Sequence, residues 1–247
     1  MKLIFVFLLS SAILFYPLFP SSDEESTLSK ITEHYKRKNY KEISKIASEY
    51  IQKLPELDQD DKVIKFYFHS ESDVQKLDTV LDTIYKNTEE VNFRFHNLTY
   101  ILMEKALLSE EYEIGAKWGD IYRQEAKSKK RKYIKGLYVY SCLLYKAGKS
   151  TLSLSVIDTA LKEKPSKKMM DKLKLLRITQ LKNDFQVIVE SRNYLKNNYE
   201  STYADFIFAH MVQAYRNTGK KKKVEELKDE FRKEFGDSIL TDKVVGI

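Results

Sequence analysis

The sequence predicts an all-α protein, and three observations carry that expectation. Only 7 Gly and 4 Pro occur in 247 residues, too few for the tight turns of a sandwich or barrel, while Lys, Glu and Leu, all good helix formers, are abundant. Apolar and small residues recur at helical spacing along most of the chain. Gly115, Ser153, Ile188 and Val224 occupy corresponding places in successive segments, separated by steps of 38, 35 and 36 residues. A hydrophobic content of 43% is ample for a core.

The first 22 residues stand apart. "MKLIFVFLLSSAILFYPLFPSSDEES" carries one Lys, an uncharged run from Leu3 to Tyr16, helix breakers at Pro17 and Pro20, and then Asp23, Glu24 and Glu25. That layout reads as a secretory signal. An uncleaved anchor is the second reading, because Leu3 to Phe19 would span roughly 25 Å as a helix against a hydrocarbon core of about 30 Å. A buried N-terminal helix is the third. The expected location is outside the cytoplasm, periplasmic or membrane-anchored, in a bacterium; no residue speaks to the bacterial assignment.

Residues 23–88 read as two N-terminal hairpins. In "KNYKEISKIASEYIQKLP", Tyr40 opens a helix with Ile43, Ala47 and Tyr50 on its apolar face, and Pro55 closes it. The pair "DDKVIKFYFHS" and "SDVQKLDTVLDTIYKN" forms a second, divergent hairpin. Residues 89–236 continue the pattern. A helix from about Val91 to Leu108 precedes "SEEYEIGAKWGDIYRQEAK", where Tyr112, Gly115, Trp118, Gly119 and Tyr122 share a face. Next come Leu137, Tyr140, Ser141 and Leu144 on one helix and Ser153, Ile157 and Ala160 on another, stopped by Pro165. A helix from about Lys168 to Leu181 leads to Phe185, Ile188 and Leu195. The last pair runs around Phe206 to Arg216, turns at Gly219 and resumes with Val224, Leu227 and Phe231. Residues 237–247 form a tail.

The stretch "KGLYVYSCLLYKAGKSTLSLSVIDTALKEKP" resembles a tetratricopeptide repeat, and weaker copies extend the resemblance over about residues 26 to 236. In that family two antiparallel helices carry small residues where they cross, here Ser141, Ser153 and Ala160, and a closing proline, here Pro165. The resemblance implies a right-handed superhelix, an α-solenoid of about five to six hairpins, used as a scaffold for protein–protein interaction. It also places "AGKST" at the turn inside a hairpin. A phosphate-binding loop is the competing reading of Gly148, Lys149 and Ser150, but it needs a first glycine where Leu143 stands and a strand leading in.

No enzyme chemistry is legible. His34, His69, His96 and His210 fall on separate expected helices without metal-ligand spacing, and Cys142 is the single cysteine. No nucleophile elbow or zinc-protease motif occurs. The expectation is a non-enzymatic protein without metal or cofactor. "NLT" at Asn97 matches a glycosylation sequon, read as chance inside a helix. The formal charge of +7 arises from 43 basic and 36 acidic residues interleaved along the chain. "KSKKRKYIK" from Lys127 and "KEKPSKK" from Lys162 fall on one edge of the hairpins, and "KKKK" from Lys220 on the opposite edge, where they read as solvated ends. The functional alternative for these runs is an anionic membrane surface or nucleic acid, although no base-reading module is recognisable.

The resemblance implies that the first helix of each hairpin lines a concave groove. Its register selects Asn97, Tyr100 and Glu104; Lys135, Tyr138, Cys142 and Tyr145; Arg177 and Gln180; and Gln213 and Arg216. Tyrosines offer rigid area with a hydroxyl, and arginines can clamp a carboxylate, so the expected ligand is an extended peptide or protein partner. The alternative for Tyr138 and Tyr145 is packing between neighbouring repeats.

Overall fold

The computed structural model describes residues 22–54, 56–126 and 130–246. The N-terminal apolar run through residue 21, Pro55 and the start of the first basic run, 127–129, lie outside the described residues. Among those residues the chain is all-helical, without strands, and consecutive helices pack as pairs. It divides into two compact units, one ending at Leu57 with 61–71 added, the other holding 58–60 and everything from Ser72.

The first unit contains α1 (Ser22–Lys36), α2 (Tyr40–Ile51) and α3 (Lys62–Ser70). Ile31, Ile43, Ala47 and Ile51 are buried with Val63, Ile64, Tyr67 and Phe68, the 3.6-residue stripes of three short helices meeting in one core. Asp61 caps α3 by accepting from the Val63 and Ile64 amides at 2.6 and 3.3 Å, and it also accepts from the Tyr50 hydroxyl at 3.0 Å. A single residue thus starts α3 and ties it to α2.

The second unit runs α4 (Val74–Asn87), α5 (Phe93–Leu108), α6 (Tyr112–Glu125), α7 (Lys130–Lys146), α8 (Ser150–Lys162), α9 (Lys167–Gln180), α10 (Asp184–Leu195), α11 (Ala204–Asn217), α12 (Lys221–Phe235) and α13 (Thr241–Val245). Each helix packs on the next, and in addition α5 lies on α7, α7 on α9, and α9 on α11. Trp118 is fully buried, and its indole N–H donates to Asp78 of α4 at 2.6 Å while Lys117 reaches Asp78 at 2.9 Å. The segment 237–246 is helical at its centre, and α13 buries Val244 and Val245 against α11 and α12.

Small residues set the helix spacing. A Cβ built on Gly119 of α6 would stand 2.6 Å from Cγ of Tyr140 on α7, and one on Gly136 of α7 would stand 2.5 Å from Cζ of Tyr122 on α6. At the next crossing the Ser153 hydroxyl of α8 donates to the Ser141 carbonyl of α7 at 2.7 Å, both residues fully buried. Ser141 and Ser153, two of the expected crossing residues, therefore lie where α7 and α8 approach closely.

Four hairpins share one turn. Lys38, Glu110, Gly148 and Gly219 are left-handed, with φ of 55, 65, 76 and 71°. Each precedes a helix by two residues, and the intervening Asn39, Glu111, Lys149 or Lys220 donates its amide to a carbonyl five residues back. This is the six-to-one bond of a Schellman closure. Gly148 thus lies in a helix–turn–helix and not in a phosphate loop.

Two substitutions test these constraints against simple helix propensity, which favours Ala over Gly inside a helix by about 0.5–1 kcal/mol. Gly119→Ala instead lowers unfolding free energy by about 1–3 kcal/mol in urea titration, because the Tyr140 ring must move. Glu110→Gly raises it by about 1 kcal/mol, because a left-handed residue with a Cβ is relieved; an unchanged midpoint would contradict the turn geometry.

Candidate partner-binding surface

On α7 the residues at 135, 138, 142 and 145 make one stripe. Lys135 and Tyr145 are exposed, and Tyr138 and Cys142 are half-buried. The remaining faces of α7 carry Leu137, Tyr140, Ser141, Leu143 and Leu144, all buried. The Lys172 ammonium of α9 lies 5.7 Å from the centre of the Tyr138 ring. Burial, reinforced by a hydrogen bond to Cys142, pushes the Tyr138 hydroxyl above its ordinary range. Burial likewise pushes the Cys142 thiol up to about 11, against the opposing pull of Tyr138, Lys146 and Lys172. The thiol is therefore protonated at neutral pH and is a poor nucleophile.

Residues of α5 lie beside the N-terminal half of α7. The Lys132 ammonium donates to Asn97 Oδ1 at 3.1 Å and stands 4.1 Å from the Phe93 ring. Thr99, the third residue of the sequon, is fully buried and bonded to the Phe95 carbonyl. Tyr100 donates to Glu104 at 2.6 Å along the same helix. Asn97, Tyr100 and Glu104 thus form a polar edge already satisfied within the protein.

The arginines expected as a carboxylate clamp have internal partners instead. Arg177 of α9 reaches Asp158 of α8 at 2.6 Å and Glu190 of α10 at 2.9 Å. Arg216 of α11 donates to the Lys243 carbonyl at 3.5 Å and to that of Val244, holding α13. Gln180 is buried at 4% exposure, with no hydrogen-bond partner for its side-chain amide. Gln213 is exposed and bonds Asn217 one turn on.

Sequence reasoning missed a basic concavity. Parts of the two runs it read as solvated ends converge where α7 begins and α8 passes to α9, around an open cavity of about 620 Å³. Arg131, Lys135, Lys164, Lys168 and Lys172 surround it, and Ile134, Pro165 and Met169 supply apolar wall. The spacing of four between Arg131 and Lys135, and again between Lys168 and Lys172, was the available signal, since residues four apart share a helix face.

Other chemistry is sparse. Among the described residues no group of His, Cys, Asp and Glu is placed to hold a metal ion, and no helix is long and apolar enough to cross a membrane. His96 and His210 lie apart on α5 and α11, and burial lowers the affinity of each for a proton. What the fold defines is an all-helical protein of consecutively packed helix pairs. The chain shows no match to a known protein family, a curated protein or a solved structure.

The role of Arg177 has a direct check. Arg177→Ala leaves Glu190 and Asp158 facing one another's helices without a cation, and the pairs are partly exposed, so solvent screening limits the loss to about 1 kcal/mol. Thermal melting should register that fall with helicity retained; an unaltered melt would show the ties to be energetically idle.

Proposed function

We propose that this protein is a non-enzymatic interaction scaffold, exported or membrane-tethered, whose residues 89–236 form tetratricopeptide-like repeats. In this reading the repeats wind as a right-handed superhelix, and the first helix of each hairpin faces an extended segment of a partner protein. The observation that carries it is the stripe on α7. This helix packs on α5, α6, α8 and α9, yet Lys135, Tyr138, Cys142 and Tyr145 keep access to solvent between them. A tyrosine-rich stripe on a rigid, fully supported helix gives contact area at little cost in conformational entropy. With Arg177 and Arg216 occupied internally, cationic recognition passes to Lys135 and Lys172, which flank Tyr138.

The rival reading is a binder of anionic membrane surface or nucleic acid. It draws on the same lysines, and it predicts affinity that collapses as salt rises.

A photo-crosslinking amino acid at position 138 or 145, introduced in the native cell, should yield a discrete adduct with one partner, while the same probe at Arg232 on α12 should not. Equal labelling at all three positions would remove the groove as the binding surface. Tyr145→Ala should weaken capture of that adduct partner several-fold with the circular dichroism spectrum unchanged.

Export, read from the apolar run and its acidic flank, is checked by fractionation and N-terminal sequencing. A mature start near Ser22 selects secretion, and intact Met1 in membranes selects an anchor. Full-length protein in the soluble cytosol would overturn export.

A further inference from the structure

We infer that the concavity between α7 and α9 receives an acidic segment of the partner, with one apolar side chain of that segment seated on Ile134, Pro165 and Met169. The inference rests on the scaffold reading and specifies the chemistry of its ligand.

Charge is the first argument. Five cationic side chains line the cavity and no carboxylate does. None of the five makes an ion pair with a described residue, and Lys172 engages only the tyrosine stripe. Other lysines of the second unit show the compensation these lack: Lys149 pairs with Glu113, Lys117 with Asp78 and Lys223 with Glu226. In a chain whose basic and acidic residues nearly balance, at 43 and 36, a concavity with cations alone is uncompensated. Such a site attracts anions, and its walls focus the field. Ser166, the N-cap of α9, also lines the cavity, so the positive end of that helix adds to the same field.

Shape selects among anions. The phosphates of a bilayer or duplex lie on flat or convex surfaces, whereas these cations ring a cavity of about 620 Å³ whose wall is part apolar. Ile134 is 5% exposed and Pro165 is buried, while Met169, half-buried, can adapt to an entering side chain. A peptide can place carboxylates on the cationic ring and an apolar residue at the centre; a phosphate backbone offers nothing for that centre. Continuity is the last argument. Lys135 lies one turn before Tyr138, and Lys172 serves both the ring of Tyr138 and the cavity. A chain lying along α7 over Tyr145 and Tyr138 therefore arrives at the cations.

The test uses a fluorescein-labelled peptide of alternating Glu and Asp around one Leu, followed by anisotropy on the full chain. It should bind at least about tenfold more tightly than the Gln and Asn counterpart, and replacing its Leu by Gly should weaken it several-fold. Lys135→Glu with Lys168→Glu should lower affinity at least about tenfold. The equally charged control, Lys220→Glu with Lys221→Glu on the α11–α12 turn, should change it less than about twofold. Circular dichroism confirms that both variants fold. Equal losses in the two double variants would reduce the effect to net charge and overturn the inference, as would absence of peptide binding. Vesicles one-third phosphatidylserine and single-stranded DNA run in parallel. Tighter binding of either, lost in the first variant alone, would also overturn it by assigning the cavity to phosphates. The crosslinks at 138 and 145 report separately on the scaffold reading. Adducts without peptide binding overturn the acidic inference alone; absence of both overturns both.

Discussion

The close approach of α6 and α7 is the constraint on which the second unit depends. Each helix offers the other a glycine and a tyrosine: Gly119 accommodates Tyr140, and Gly136 accommodates Tyr122. The exchange lets two large rings bury at 2 and 3% exposure, and burial of an aromatic side chain is worth about 1.5–3 kcal/mol. The Tyr122 hydroxyl is satisfied by the Lys132 carbonyl at 2.9 Å, so its ring is buried without an orphaned polar atom. Because α7 sits so deeply, α5, α8 and α9 all reach it, and only one stripe is left to solvent. The candidate surface is what remains after packing has taken the rest.

Where the hairpin turn is missing, side chains take over. The α9–α10 connection has none of the left-handed closures found in four of the hairpins; α9 ends at Gln180 and Asn183 caps α10 by accepting from the Gln186 amide at 3.2 Å. Arg177 spans this region from Asp158 on α8 to Glu190 on α10, joining three helices through one planar cation. Beyond it, a second core of Phe208, Phe231 and Ile207 gathers α11 and α12, with α13 held on by Arg216.

Much of this was legible in the sequence. Helical periodicity located the helices to within a few residues, since an amphipathic stripe reports directly on which face is buried. Small residues such as Ser153 and Gly119 marked the crossings because nothing larger fits there. The directions of long polar side chains were not legible. Arg177 has the spacing of a groove residue, yet its direction is set by carboxylates 19 residues before and 13 after it. The shared turn was hidden for a different reason. Backbone torsion repeats in four hairpins while the residue adopting it is Lys, Glu or Gly, so only the two glycines advertise it. The cationic ring escaped because its halves are separate runs, joined only when α8 carries the chain back alongside the start of α7.

The shielding of Cys142 bears on redox chemistry. A thiol with a pKa of about 11 presents roughly one thiolate in 10⁴ at pH 7, against about one in thirty for an ordinary cysteine. Exchange with disulfides proceeds through the thiolate, so burial slows the reaction of this lone sulfur with other thiols and disulfides. Burial by the surrounding fold, against the pull of Tyr138, Lys146 and Lys172, thus keeps a cysteine in the middle of a partly exposed stripe in its protonated, unreactive form.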